Sequence, residues 1–508
     1  MDIEMTRETT RILQNVYDNA VPCEEILETT LDDELPDIQE ILFSKGTPFL
    51  RGKECVGGSI SIKGVVKVDL LYYSNRDPAL QKAEFDVPFS AAIPCPEADE
   101  HCKLVCSVSL TSCSSKMMSP RRVLIKTDTI VSVSCFKDSE LLVKCMPKNT
   151  PGDLVLLEHT SSEYIPLAVT ERSFVVTDTY QVSAQEPAIS QLLTSDTQLF
   201  VDDIKTVGSK LILRGKANTT VVYRTEDSEI PCTVNITTEF SQITETDQHT
   251  PNTLARLVLT LTGAFFRTEA TLSSQERQIF MELHVALQCI SFGEVQISCA
   301  KDAYSPCRSV HTESGSLSLV TMANSAPSKH IARGTIQTPS PVSNVILTSV
   351  RCKAGAGDPD KALHAEFHIS ALCADHEGRL SCIDGTFPWK DEKACENIPA
   401  SEHALIIGEV QSVATANGLE FRIPLESRQG LVCTDELKII DAISCDDETD
   451  DLSNVPSVVM HWYKPADSLW DLAKKYRSTV KMITAANLSE DESEICGERM
   501  IIIPKYRA

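Results

Sequence analysis

The sequence predicts a mainly β fold, built of tandem antiparallel sandwich- or barrel-like repeats and closed by a small C-terminal βααβ unit. Three observations predict it. A stretch beginning near Pro36 returns without a gap near Pro187. Inside each copy, apolar residues alternate with polar ones, the period of a half-buried strand. Residues 459–508 instead carry apolar residues at helical spacing between two short strand-like runs.

Taken in order, residues 1–34 are polar and acidic, with Ile12, Leu13, Val16 and Tyr17 at helical spacing. That spacing predicts an amphipathic helix docked on its own chain. Residues 35–148 form the first repeat and 181–307 the second. The pairs Ile60/Leu211, Ile62/Leu213, Lys63/Arg214, Gly64/Gly215, Leu70/Val221 and Tyr72/Tyr223 share one offset, as do Pro36/Pro187 and Phe89/Phe240. Such self-similarity is the mark of a repeated structural unit.

Ile60, Ile62, Val66, Val68, Leu70 and Tyr72 share one strand face, and Ser61, Lys63, Lys67 and Asp69 the other. Mid-strand, Gly64 and Gly215 signal a bulge or a close backbone approach. A polar turn and a returning strand follow, through Phe85, Val87 and Phe89 in one copy and Ile236, Thr238 and Phe240 in the other. These are hairpins. Two more strands complete each copy, through Leu104–Leu110 and 123–135, matched by 257–261 and 279–289. A single sheet cannot cover both its faces, so closure into a sandwich or barrel is expected.

Residues 149–180 read as a linker holding a short strand at 154–157, and the Ser/Thr/Ala-rich 308–328 as a second linker. Residues 329–447 read as a divergent third copy, in which Phe387-Pro-Trp389 echoes Val87-Pro-Phe89. An acidic tether follows at 448–458. In the last segment, 461–463 and 500–503 read as strands. Leu469, Leu472, Ala473 and Tyr476 mark one helix, with Asp467 or Ser468 as its cap. Residues 479–487 form a second helix, and Leu469, Leu472, Ala473, Ile483 and Ile502 make up the core.

Tyr463-x-Pro-x-Asp-Ser-Leu-Trp470, with Asn487-Leu488 after the second helix, resembles a LysM module. It departs from that pattern at Ala466, where Gly is usual, and at Cys496, where Pro is common. The resemblance implies a groove between the loop at 466–469 and the turn at 487–488. Asp467, Ser468, Leu469, Trp470, Asn487 and Leu488 would meet an acetamido sugar or a partner segment there. Core packing is the plainer role for Trp470, and helix capping for Asp467.

Repeated units reading Lys/Arg-Gly-x5-Leu/Val-x-Tyr, at 63–72 and 214–223, look like SPOCS domains of spore-forming Firmicutes. Tandem SPOCS domains followed by a LysM resemble the architecture of clostridial spore coat morphogenetic proteins. The resemblance implies a non-enzymatic assembly adaptor in the mother cell, at the forespore surface, whose LysM docks a SpoIVA-like coat ATPase. The alternative is a binder of peptidoglycan N-acetylglucosamine chains.

Composition agrees with an adaptor. Against 47 basic residues stand 72 acidic ones, a net charge of −25. That balance does not suit a nucleic-acid or anionic-membrane surface. The first residues have neither a basic nor an apolar signal region, and no apolar run reaches membrane length. A cytoplasmic protein is expected. The 19 cysteines then read as free thiols. The cluster Cys95, His101, Cys102, Cys106, Cys113 lacks zinc-site spacing. His364 and His368 share a strand parity and read as a solvent-facing row. No phosphate loop, nucleophile elbow or His-Glu-x-x-His motif is present. No catalytic set, cofactor or metal is expected.

Overall fold

The structure, a computed structural model, describes residues 1–75, 79–226, 228–245, 253–270, 276–324, 328–338, 341–355, 364–390, 405–415, 418–427, 430–450, 456–488, 495 and 497–506. It is mainly β. The N-terminal strands are β1 (Asp2–Ile3), β2 (Met5–Thr30), β3 (Ile38–Val56), β4 (Ser59–Ser74), β5 (Gln81–Pro94), β6 (Lys103–Ser119) and β7 (Arg122–Pro147). Strands β3-β4-β5 make one antiparallel sheet, and β2 and β6 flank β7 in another. The alternating face of β4 (Ile60, Ile62, Val66, Leu70, Tyr72) packs on Cys106, Val123, Ile125 and Val131 of the opposite sheet. A two-layer sandwich results, because each sheet has one apolar face to cover.

The pairing order recurs. In the second set, β8 (Val155–Gln181) and β12 (Leu254–Ala270) flank β13 (Glu276–Tyr304), opposite β9 (Gln191–Val207), β10 (Lys210–Arg224) and β11 (Cys232–Glu245). The third set divides its long outer strands. It comprises β14 (Val310–Asn324), β15 (Ser328–Ile336), β16 (Asn344–Gly355), β17 (His364–Ala374), β18 (Leu380–Lys390), β19 (Leu405–Ile407), β20 (Gln411–Thr415), β21 (Gly418–Ser427) and β22 (Gly430–Cys445). Here β16-β17-β18 form one sheet, β15, β19 and β20 pair with β21, and β14 pairs with β22.

The mid-strand glycines have a physical cause. Gly64 pairs directly with Phe89, and a Cβ built on it would stand 2.1 Å from that ring and 2.6 Å from the Phe49 carbonyl. Gly215 pairs with Phe240 under the same crowding, 2.3 Å from the Phe200 carbonyl. In both cases the neighbouring strand bulges opposite the glycine. The third unit sets buried Ala365 against Trp389 at this place.

The three units meet on the reverse faces of their inner sheets, where Leu71, Val222 and Leu372 join Phe43, Leu193 and Leu347 in one cluster. The first two units are also clasped through polar groups. Buried Gln288 pairs with both the N–H (2.8 Å) and the carbonyl (2.7 Å) of Cys106, on the edge of β6. The side chain thereby satisfies an edge that would otherwise lie open.

Three expectations are corrected. Residues 1–34 are strands β1 and β2, not a helix. Leu13 packs with Phe136 and Phe292, whereas Val16 and Tyr17 pack on the first sandwich core, and the register shifts between Asn15 and Tyr17. A strand that serves two cores across a bulge carries apolar residues on both parities, which imitates helical spacing. The segment 149–180 is no linker, since most of it is β8, the counterpart of β2. The segment 308–328 holds β14, which is polar because it is an edge strand, paired among the described residues with β22 alone. Part of the acidic tether, 451–455, and Cys496 lie outside the described residues.

Candidate functional site

The chain ends in a βααβ module: β23 (Val458–Tyr463), α1 (Leu469–Lys475), α2 (Val480–Asn487) and β24 (Arg499–Pro504). Its helices begin where short polar side chains replace missing backbone partners. Ser468 Oγ accepts from the Asp471 N–H at 3.4 Å, and Thr479 Oγ1 from the Met482 N–H at 3.2 Å. Ser468, not Asp467, is therefore the cap. Asp467 secures the preceding turn, accepting from the Lys464 N–H at 2.9 Å, with His461 Nε2 at 3.4 Å. Leu472, Ala473, Ile483, Ile501 and Ile503 form the buried core.

Tyr304, the last residue of β13, completes that core from outside the module. Its hydroxyl donates to the Ser478 carbonyl at 3.0 Å. The Trp470 ring stands edge-on to Tyr304 with centroids 4.8 Å apart, and its Nε1–H donates to Asp302 Oδ2 at 2.8 Å. Lys474 Nζ lies 2.8 Å from both Asp302 oxygens. Burial pushes the Asp302 pKa up, but the hydrogen bonds from Lys474 and Trp470 outweigh it and hold the carboxyl below its ordinary value. Burial, then the neighbouring Asp302, pushes the Tyr304 hydroxyl up to about 12, so it remains a donor. Arg477 adds a 2.6 Å contact to Asp450. The α1 side of the module is thus spent on its own chain.

Of the six residues expected to line a groove, Leu469, Trp470 and Leu488 pack on the module core. Asp467 and Ser468 hold the turn and the cap. Asn487 is stitched to β24: its Oδ1 accepts from the Ile502 N–H at 2.6 Å, and its Nδ2 donates to the Ile502 carbonyl at 2.6 Å and the Ile483 carbonyl at 2.7 Å. It closes the edge of β24 as Gln288 closes that of β6.

The opposite face of the two-stranded sheet is open. Val459, His461 and Tyr463 point toward the helices, and Val458, Met460 and Trp462 point away, Met460 67% and Trp462 50% exposed. On β24, Met500 and Ile502 also face out. The ladder sets Met460 beside Ile502 and Trp462 beside Met500, so the five residues make one apolar surface. Ile502, expected in the core, is 41% exposed. Three consecutive isoleucines at 501–503 conceal the strand parity, and only Ile501 and Ile503 turn inward. The signal that could have found this face is the 458–463 strand itself. It is apolar on both parities although helices cover one side only.

A cleft of about 400 Å³ between the first two units offers less. Its charged groups are committed to holding those units: Lys53 to Glu171 at 2.8 Å, and Arg51 to the Thr262 carbonyl at 2.8 Å. No helix among the described residues is long and apolar enough to cross a membrane.

Fold and site together define a β-sandwich scaffold with a small appended βααβ module that leaves one sheet face uncovered. Within it, residues 37–118, strands β3 to β6 with Gly64 and Phe89 among them, match the family described as SipL, SPOCS domain. The chain is SipL-like over that segment, and the domain associates it with sporulation. No curated protein and no solved structure matches the chain.

Proposed function

We propose that this protein is a non-enzymatic assembly adaptor of the spore coat, whose terminal LysM-like module docks a SpoIVA-like coat morphogenetic ATPase. On this reading the second and third units are further SPOCS domains, the protein works in the mother cell at the forespore surface, and the three units are the scaffold that presents the module. The observation that carries it is the open apolar face of Val458, Met460, Trp462, Met500 and Ile502. Exposed contiguous apolar surface marks a site for a macromolecular partner, and a Trp flanked by Met makes a strong anchor there. The SPOCS match supplies the setting.

A glycan groove has less support. Asn487 and Trp470, the polar and stacking groups such a groove would use, already bond to Ile502 and Asp302. The test is capture of the purified ATPase by the full-length protein and by its Trp462→Ala variant. Capture by the wild type and its loss in the variant is the expected result. Sedimentation of the protein with peptidoglycan, without capture of the ATPase, would overturn the reading in favour of the glycan.

A further inference from the structure

The two edges of the small terminal sheet are finished differently. In an antiparallel ladder, facing residues alternate between pairs that exchange main-chain hydrogen bonds and pairs that exchange none. The N–H and carbonyl of Ile502 are both bonded to Asn487, so they point away from β23. Met460, which faces Ile502, therefore belongs to a pair with no hydrogen bonds across the ladder. So do Val458, opposite Pro504, and Trp462, opposite Met500. One residue earlier, the Ser457 carbonyl accepts from the Lys505 N–H at 3.0 Å, in phase with that alternation. The N–H and carbonyl groups of Val458, Met460 and Trp462 are thus turned to the outer edge of β23.

Among the described residues, β23 pairs with β24 alone. Asn487 closes the outer edge of β24, but no described side chain takes the corresponding place beside β23. The devices that usually blunt an edge are missing too, since Val458–Tyr463 contains no lysine, proline or bulge. The open stretch ends at Lys464, whose N–H is taken by Asp467 Oδ2 at 2.9 Å. Val458, Met460 and Trp462 also carry the exposed side chains of the apolar face. Next in that row stands the exposed Lys464, its one charged member. Unmet main-chain groups, apolar side chains and a terminal cation therefore lie along one line.

We infer that the module binds its partner by strand addition: an extended segment of the coat ATPase proposed above pairs with the outer edge of β23 and makes the sheet three-stranded. Alternate side chains of that segment are apolar and lie beside Met460 and Trp462, and an acidic one meets Lys464 at the end of the row. Main-chain pairing supplies the affinity, and the alternating side chains supply the choice of sequence. The inference rests on the proposed partner and adds the manner of its docking.

The test uses the full-length protein, the purified ATPase and the variants M460P and M460A. Proline removes the Met460 N–H, which β24 does not use, whereas alanine shortens the same side chain and keeps the N–H. M460P is expected to bind the ATPase at least about ten-fold more weakly than M460A. Should M460P disturb the module, seen as faster exchange in α1, residue-resolved hydrogen exchange in the wild type decides. The Met460 and Trp462 amides are then expected to slow at least about ten-fold in the complex. Equal binding by the two variants, or Met460 and Trp462 amides that exchange in the complex as in the free protein, overturns strand addition and leaves the ATPase as partner. Failure of the wild type to bind the ATPase overturns the proposed partner and this inference with it. Slowing of those amides with rising protein concentration, in the absence of the ATPase, assigns the edge to a second copy of the chain and overturns the inference as well.

Discussion

Trp470 and Trp462 lie eight residues apart in one small module and meet opposite surroundings. Trp470 sits edge-on to Tyr304 and donates to Asp302, both from β13. Trp462 lies on the outer face of the sheet, half exposed, beside Met460 and Met500. The first is engaged within the chain and the second is left without cover. Large apolar side chains stay exposed together only at a cost in solubility, so the difference separates the face that anchors the module from the bare face on which the proposed partner would dock. The residues expected beside α1, Asp467 to Trp470, are engaged with the cap, the turn, the module core and Asp302.

The largest effect that would sharpen this contrast is on stability. Trp470→Ala removes an aromatic contact and leaves Asp302 without one donor, and is expected to destabilise the docked module by about 3 kcal/mol. Chemical denaturation followed by hydrogen exchange at α1 measures it. Trp462→Ala should change stability by less than about 0.5 kcal/mol. The same variant is expected to weaken partner binding by about 2 kcal/mol, roughly 30-fold. Titration calorimetry checks the second figure and a thermal scan the first. If Trp462→Ala unfolds the module and Trp470→Ala does not, the two roles are exchanged.

Smaller effects concern Asp302. Lys474→Ala is expected to cost about 0.5–1 kcal/mol, because the Lys474 side chain is 45% exposed and solvent screens the pair. The pH dependence has a definite sign. The Asp302 carboxyl has a pKa below its ordinary 3.8 in the folded protein, despite burial, because Lys474 and Trp470 donate to it. A depressed carboxyl stabilises the fold above its ordinary value and loses that contribution as pH falls through the lowered one. Docking should therefore hold from neutrality to about pH 5 and weaken below about pH 4. The emission of Trp470 in a Trp389→Phe, Trp462→Phe background would shift to the red over that range.

The strands that read clearly in the sequence are those that keep one unbroken parity toward a single sandwich core. In β4, every second residue from Ile60 to Ile62 and from Val66 to Tyr72 is buried in that core, and the period-two pattern follows directly, although Asp69 and Leu71 are buried on the reverse face as well. The glycine that interrupts it was legible as a close approach, though not that Phe89 lies over it. Legibility fails where a strand serves two cores, as β2 does around Leu13 and Tyr17, or lies at an edge, as β14 does. The module was legible as two strands and two helices from its caps and helical spacing. What spacing could not convey is that β13 ends against it. Asp302 and Tyr304 are about 170 residues away in sequence, and they decide which side of the module is left open.

The most direct measurement is hydrogen exchange on the full-length protein with and without the purified coat ATPase. Protection is expected in 458–463 and 499–504, the strands that carry Met460, Trp462 and Met500, with the loop at 466–470 unchanged. Protection confined to 466–470 and 487–488, with the sheet strands exchanging as in the free protein, would contradict the account.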